Sequence, residues 1–185
     1  VILSRSLKLS SILKAAGLSL GFLGISLTPA LAQGLKAGQK APIFTLPSAK
    51  AGKLSQFSLK DALKNGPVIV YFYPKAFTSG CSLQAQEFAK NSSLLAAKKV
   101  TIVGISGDDI SVLKDFSTKD CGGKFAVASD RSLKTAEAYQ AKMTVPMAAR
   151  ISFLVLKDGT IAYTHADPKA ATHVPALLNK VKALP

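Results

Sequence analysis

The sequence has no tryptophan, only two cysteines and two histidines, and ten acidic residues against 24 lysines and arginines. Cys81 and Cys121 lack a C-x-x-C spacing, and His165 and His173 lack an H-x-x-x-H spacing, so neither pair builds the ligand pattern of a metal cluster. Flavin and nucleotide motifs are missing as well, and no metal or organic cofactor is expected. The lysines are scattered and are not grouped with aromatic side chains, which removes the usual footprint of a nucleic-acid partner. Internal repeats, low-complexity tracts and Pro-, Gly- or Ser-rich linkers are absent after residue 32, so that part of the chain reads as one unit.

The first 32 residues contain no acid: Arg5, Lys8 and Lys14 precede an apolar run from Ala15 to Leu27. That run is shorter than the ~20 residues needed to cross a bilayer. Thr28-Pro29-Ala30-Leu31-Ala32 then supplies small residues at the positions a signal peptidase needs. The expectation is a signal peptide over residues 1–32, a mature domain over 33–185, export, and no stable membrane insertion after cleavage. The leader carries three basic residues out of a formal net charge of +14, so the mature domain stays strongly basic. A field of that kind draws anionic surfaces without specificity.

Residues 68–73, Val-Ile-Val-Tyr-Phe-Tyr, form a continuous β-branched and aromatic run, the pattern of a strand buried on both faces of a parallel sheet. Residues 100–105 repeat it. Between them, residues 78–99 carry Leu83, Phe88, Leu94 and Leu95 among Ala, Gln, Glu and Lys, which predicts one long helix. Asp108-Asp109 offers a cap for a helix with Ile110, Leu113 and Phe116, ended by Gly122-Gly123. A short strand over 125–128 and a helix over 132–139 follow. Residues 151–156 and 160–164 then form a hairpin around Asp158-Gly159, and residues 173–184 a closing helix. The order predicts an α/β protein of thioredoxin-like fold, a central mixed sheet flanked by helices.

Pro74 ends the first strand, and Cys81 falls in the first turn of the helix after it. Unpaired N–H groups and the positive end of the helix dipole converge there, and both favour a thiolate over a thiol. An ordinary cysteine, with a pKa of ~8.5, is only a few per cent ionised at neutral pH, so this location has chemical use. Residue by residue, blander roles remain open. Pro74 can merely end a strand, Thr78 can merely cap a helix, Arg150 can be a surface charge, and the two cysteines can form a structural staple.

Pro74, Thr78 and Cys81 match the P-x-x-x-T-x-x-C motif of the peroxiredoxins. Gly38–Leu46, Tyr71–Pro74, Ser129-Asp130, Ala149–Phe153 and Asp158-Gly159 also resemble segments of that family. The chain is therefore identified as resembling the peroxiredoxins of the AhpC/TSA superfamily, nearest to the Q-type or bacterioferritin-comigratory subgroup. The resemblance implies a thiol-dependent peroxidase acting on hydrogen peroxide or organic hydroperoxides. Cys81 would be the attacking thiolate, and Thr78 would hold thiolate and peroxide. Arg150 would stabilise both charges, Pro74 would shield the sulfur, and Gln84 would position the arginine.

The subgroup often carries its resolving cysteine five residues after the first, where this chain has Gln86. Resolution of the sulfenic acid is then assigned either to Cys121 or to an external thiol. The implied partners are a peroxide and a thioredoxin-like or other thiol reductant, with the protein a monomer or homodimer. Two other classes stay open on sequence: an exported thioredoxin-fold disulfide oxidoreductase, disfavoured by Gln84 where its second thiol would stand, and a disulfide-stapled binding protein.

Overall fold

The computed structural model describes residues 32–184, so the expected leader lies, up to residue 31, outside the described residues. β1 (Thr45–Lys50) and β2 (Lys53–Ser58) form a hairpin, and α1 (Leu59–Asn65) leads into β3 (Val68–Phe72). α2 (Ser79–Lys90), α3 (Ser92–Ala97) and β4 (Thr101–Ser106) come next, then α4 (Ile110–Lys119), β5 (Ala126–Ser129) and α5 (Lys134–Ala138). β6 (Ile151–Val155), β7 (Ile161–Ala166), a short 3₁₀ turn and α6 (His173–Lys182) complete the domain. The seven strands form one sheet in the order β2-β1-β5-β4-β3-β6-β7. β3, β4 and β5 pair in parallel, while β6 runs antiparallel to β3 and β1 antiparallel to β5. This is the mixed sheet expected from the sequence.

Strand periodicity divides the core in two. Val68, Val70 and Phe72 pack with Val103, Ile105, Tyr139 and Phe153 on one face. Ile69, Tyr71 and Tyr73 pack on the other with Cys81, Phe88, Phe116, Cys121, Leu177 and Val181. Because alternate side chains of a strand point to opposite faces, the continuous apolar run at 68–73 serves both clusters. Burial of a large apolar side chain contributes about 1.5–3 kcal/mol, so α2, α4 and α6 are held to the second face chiefly by such contacts. Both cysteines lie on that face.

The single helix expected over 78–99 is two helices. Asn91 leaves the helical conformation, and its side chain donates to the Glu87 carbonyl while the Ser92 hydroxyl donates to Ala89. Short polar side chains compete for backbone groups in this way and interrupt a helix despite apolar periodicity. The β1–β2 hairpin and α1 have no counterpart in the sequence reading. β2 is mostly exposed and lacks an apolar alternation, β1 contains Pro47, and the turn places Ala51 as well as Gly52 at positive φ. Only the glycine of that turn is a recognisable signal. Among the described residues, no helix is long and apolar enough to cross a membrane.

Candidate active site

Phe72, at the end of β3, pairs with Ile151, at the start of β6. This register sets the loop after β3 beside Arg150, the residue just before β6. Tyr73 extends the strand by donating its N–H to the Ile105 carbonyl, and the chain then turns at half-buried Pro74. The loop is tied down by Asp108, whose carboxylate accepts from the Ala76 N–H at 2.7 Å and from the Ser106 hydroxyl at 2.8 Å. Asp109, not Asp108, caps α4, accepting from the Ser111 N–H.

Thr78 is the N-cap residue of α2, and its carbonyl accepts the N–H of Ser82. The side chain departs from the expected contact with the thiolate. Thr78 is exposed, and its hydroxyl donates to the Lys75 carbonyl at 3.0 Å. With its hydrogen committed there, the hydroxyl supports the loop. Phe77, at positive φ and 45% exposed, rests edge-on against Phe116.

Cys81 lies in the first turn of α2, 1% exposed, as a free thiol. Among the described residues, the side-chain hydrogen bond it receives comes from Arg150, whose Nη2 donates to Sγ at 3.3 Å. The same guanidinium donates through Nη1 to Gln84 Oε1 at 2.6 Å and through Nε to the Pro168 carbonyl at 3.2 Å. All three nitrogens therefore have acceptors. Gly80 is small for a spatial reason, because a Cβ there would stand 3.2 Å from Arg150 Nη2. Pro74 and Arg150 also line a cleft of about 490 Å³ with Met143, Ala149, Ala166 and Pro168, and the covered Cys81 is itself no part of that lining.

Cys121 follows the end of α4, where Gly122 and Gly123 both adopt positive φ. It is fully buried and free, and burial, with Asp120 adding to it, pushes its thiol well up from the ordinary range. Asp120 accepts from Gln86 Nε2 at 2.9 Å, which fastens α2 to the segment carrying Cys121. The structure thus brings Cys81, Gln84, Pro74 and Arg150 together and leaves Cys121 in the same core cluster without a bond to Cys81.

Two further residues join this group. Ser152 and His173 are both fully buried, their side chains 2.7 Å apart, and Gln84 Nε2 donates to the Ser152 hydroxyl at 3.4 Å. The sequence carried a signal for one of them, a serine inside the apolar run Ile151–Val155. His165 and His173 stand alone in sequence, yet their rings meet edge to face at 4.6 Å.

The profile of the AhpC/TSA family matches residues 37–164. The chain belongs to that family. The peroxiredoxin Bcp of Escherichia coli (strain K12) is 35% identical over 155 residues, which cover 80% of this chain and 96% of the relative. The crystal structure of peroxidoxin BcpB from Mycobacterium tuberculosis superposes with a TM-score of 0.74 at 22% identity, covering 82% of this chain and 99% of that one. Mycobacterium tuberculosis AhpC gives a TM-score of 0.72 at 20% identity, covering 80% and 97%. The thioredoxin-like fold expected from the element order is the fold found. As a peroxiredoxin, the enzyme is a thiol-dependent peroxidase.

Burial in this peroxiredoxin holds His173 down at about 4, against an ordinary value of 6.5, with the nearby His165 and Arg150 charges adding to the effect. The native state therefore refuses a proton that the unfolded chain accepts. Stability supplied by neutral His173 is complete above about pH 6.5 and is lost as pH falls towards 4, in all by about 3 kcal/mol. Urea unfolding at pH 7 and pH 4 should show the parent losing about that much more stability than His173→Gln. Equal losses in the two proteins would refute this origin.

Proposed function

We propose that Cys81 is the peroxidatic cysteine and that Cys121 resolves its oxidised form. The observation that carries the first half is the contact from Arg150 Nη2 to Cys81 Sγ at the start of α2. The thiolate attacks the terminal oxygen of a hydroperoxide, an S–O bond forms, and the O–O bond breaks. Negative charge moves from sulfur to the departing oxygen, which leaves as water or an alcohol after taking a proton. Donors fixed near both atoms lower the barrier because they strengthen as that charge develops. Arg150 supplies one such donor, Gln84 holds it, and Pro74 walls the sulfur. Thr78 serves by holding the loop. The cleft beside Pro74 and Arg150 has apolar lining at Met143, Ala149, Ala166 and Pro168 and also takes in Gln33 and Asp167, surroundings suited to the organic part of an alkyl hydroperoxide.

Attack leaves a sulfenic acid on Cys81, which condenses with a thiol: an S–S bond forms and the hydroxyl departs as water. Cys121 is the other cysteine of the chain. For it to react, the Gln86–Asp120 hydrogen bond must open and the end of α4 must unwind, a movement that Gly122 and Gly123 make easier. Two thiols of a thioredoxin-like reductant would then return both cysteines to the reduced state. A permanent staple is disfavoured by two free thiols, and a thioredoxin-type reductase by Gln84 in place of a second active-site cysteine.

Reduced protein treated with one equivalent of hydrogen peroxide should lose both thiols within the mixing time of a rapid assay. Cys121→Ser should lose one thiol equally fast and then fail to recycle with a protein reductant. Loss of thiols at the rate of free cysteine would remove the peroxidase role of Cys81. Rapid recycling of Cys121→Ser would transfer resolution to an external thiol.

We also propose that the enzyme is exported and begins at Gln33. Supporting this, the Gly34 and Leu35 amides donate to the Gln140 and Tyr139 carbonyls, so the chain just beyond the expected cleavage site is tied into the fold. The N-terminal peptide of protein recovered from its native host, read by mass spectrometry, should begin at Gln33. A peptide that retains the leader would contradict export by this signal.

A further inference from the structure

The guanidinium of Arg150 can act on Cys81 only if it is held in one place, and its partner Gln84 is an amide with two possible orientations. Turned over, that amide would present N–H groups to the N–H groups of Arg150. Arg150, a pure donor, selects the oxygen-facing orientation, and an acceptor beneath the amide reinforces that choice. Gln84, Ser152 and His173 are all 0% exposed, so water does not compete for their polar atoms.

The direction of the network can be read from its far end. The Asp167 carbonyl can only accept, so the 2.8 Å contact with His173 places the ring hydrogen on Nε2. Nδ1 is then an acceptor and takes the Ser152 hydroxyl hydrogen at 2.7 Å. The serine oxygen keeps a lone pair for Gln84 Nε2 at 3.4 Å, and this turns Gln84 Oε1 towards Arg150 Nη1 at 2.6 Å. Pro168, next to Asp167, receives Arg150 Nε at 3.2 Å and closes the chain of bonds into a ring. α2, the start of β6, the loop after β7 and α6 are joined in one circuit around the guanidinium.

We propose that Ser152 and His173 are positioning residues for the reaction at Cys81: through Gln84 they fix the amide orientation that holds Arg150 against the sulfur. Neither touches the reacting atoms. His173 acts as a neutral acceptor, with Arg150, His165 and Asp167 the charged or titratable groups around it. The inference rests on Cys81 being the reacting thiol, but it concerns how that thiol is prepared.

The test measures the rate at which iodoacetamide alkylates the Cys81-containing peptide as a function of pH, in the reduced full-length domain. His173→Gln keeps a donor for Asp167 but offers Ser152 no fixed acceptor, whereas His173→Asn places an acceptor oxygen near the position of Nδ1. Ser152→Ala removes the relay hydroxyl. Ser152→Ala and His173→Gln should move the midpoint of the profile upward by about one pH unit, lowering alkylation at neutral pH up to about tenfold. His173→Asn should retain the parent midpoint. Lower melting temperatures with unmoved midpoints, or equal shifts in all three variants, would overturn the proposal. If Ser152→Ala does not fold, the two His173 variants decide between these outcomes. Alkylation needs no peroxide, so a parent that alkylates rapidly but reduces peroxide slowly counts against the peroxidase reading and not against the relay.

Discussion

A negative sulfur in a core of hydrocarbon is unfavourable unless a fixed cation and oriented N–H groups accompany it. The contact from Arg150 to Cys81 answers that constraint. The sulfur is covered on one side by the aromatic cluster of β3, α2 and α4, and on the other it meets the guanidinium of Arg150, 69 residues later in sequence. Sheet order makes the meeting possible. β6 is inserted beside β3 in antiparallel register, so the start of one strand falls at the end of the other. The helix that begins after β3 and the arginine that precedes β6 then share one end of the sheet.

The packing that suits the first step proposed for Cys81 opposes the second step proposed for Cys121. Cys121 is held in the core, its thiol made reluctant to ionise by burial, and Asp120 beside it is bound to Gln86 of α2. A rigid reduced state suits attack on peroxide, because the donors cost no reorganisation during the reaction. Joining the cysteines requires the opposite behaviour, local opening at a helix end. On the proposed route, the paired glycines after Cys121 and the Gln86–Asp120 fastening to α2 would confine that opening to a short segment.

Much of this was legible in the sequence where local rules and tertiary demands agreed. The apolar run at 68–73 reads as a doubly buried strand because it is one, and Cys81 falls, as expected, in the first turn of the helix that follows. Arg150 and Gln84 came from family resemblance, since nothing local shows that they meet. Other features were hidden for physical reasons. Asn91 and Ser92 break a helix through side-chain bonds that apolar periodicity does not register, and the Thr78 hydroxyl turned to the loop instead of the sulfur. Ser152 and His173 act through contacts between distant elements. A lone serine in an apolar strand hints at a buried partner, but the partner on α6 emerges only when the helix is packed on the sheet.

The central claim is that Arg150 stabilises both the thiolate and the oxygen that leaves it. The most direct measurement compares Arg150→Met with the parent in two reactions of Cys81, one with a hydroperoxide and one with iodoacetamide, whose departing iodide needs no such donor. The account predicts that peroxide reduction falls by roughly 10²–10³ and alkylation by a much smaller factor, because only the first reaction loses a donor to the developing oxyanion. Equal losses in the two rates, or no loss in either, would contradict it.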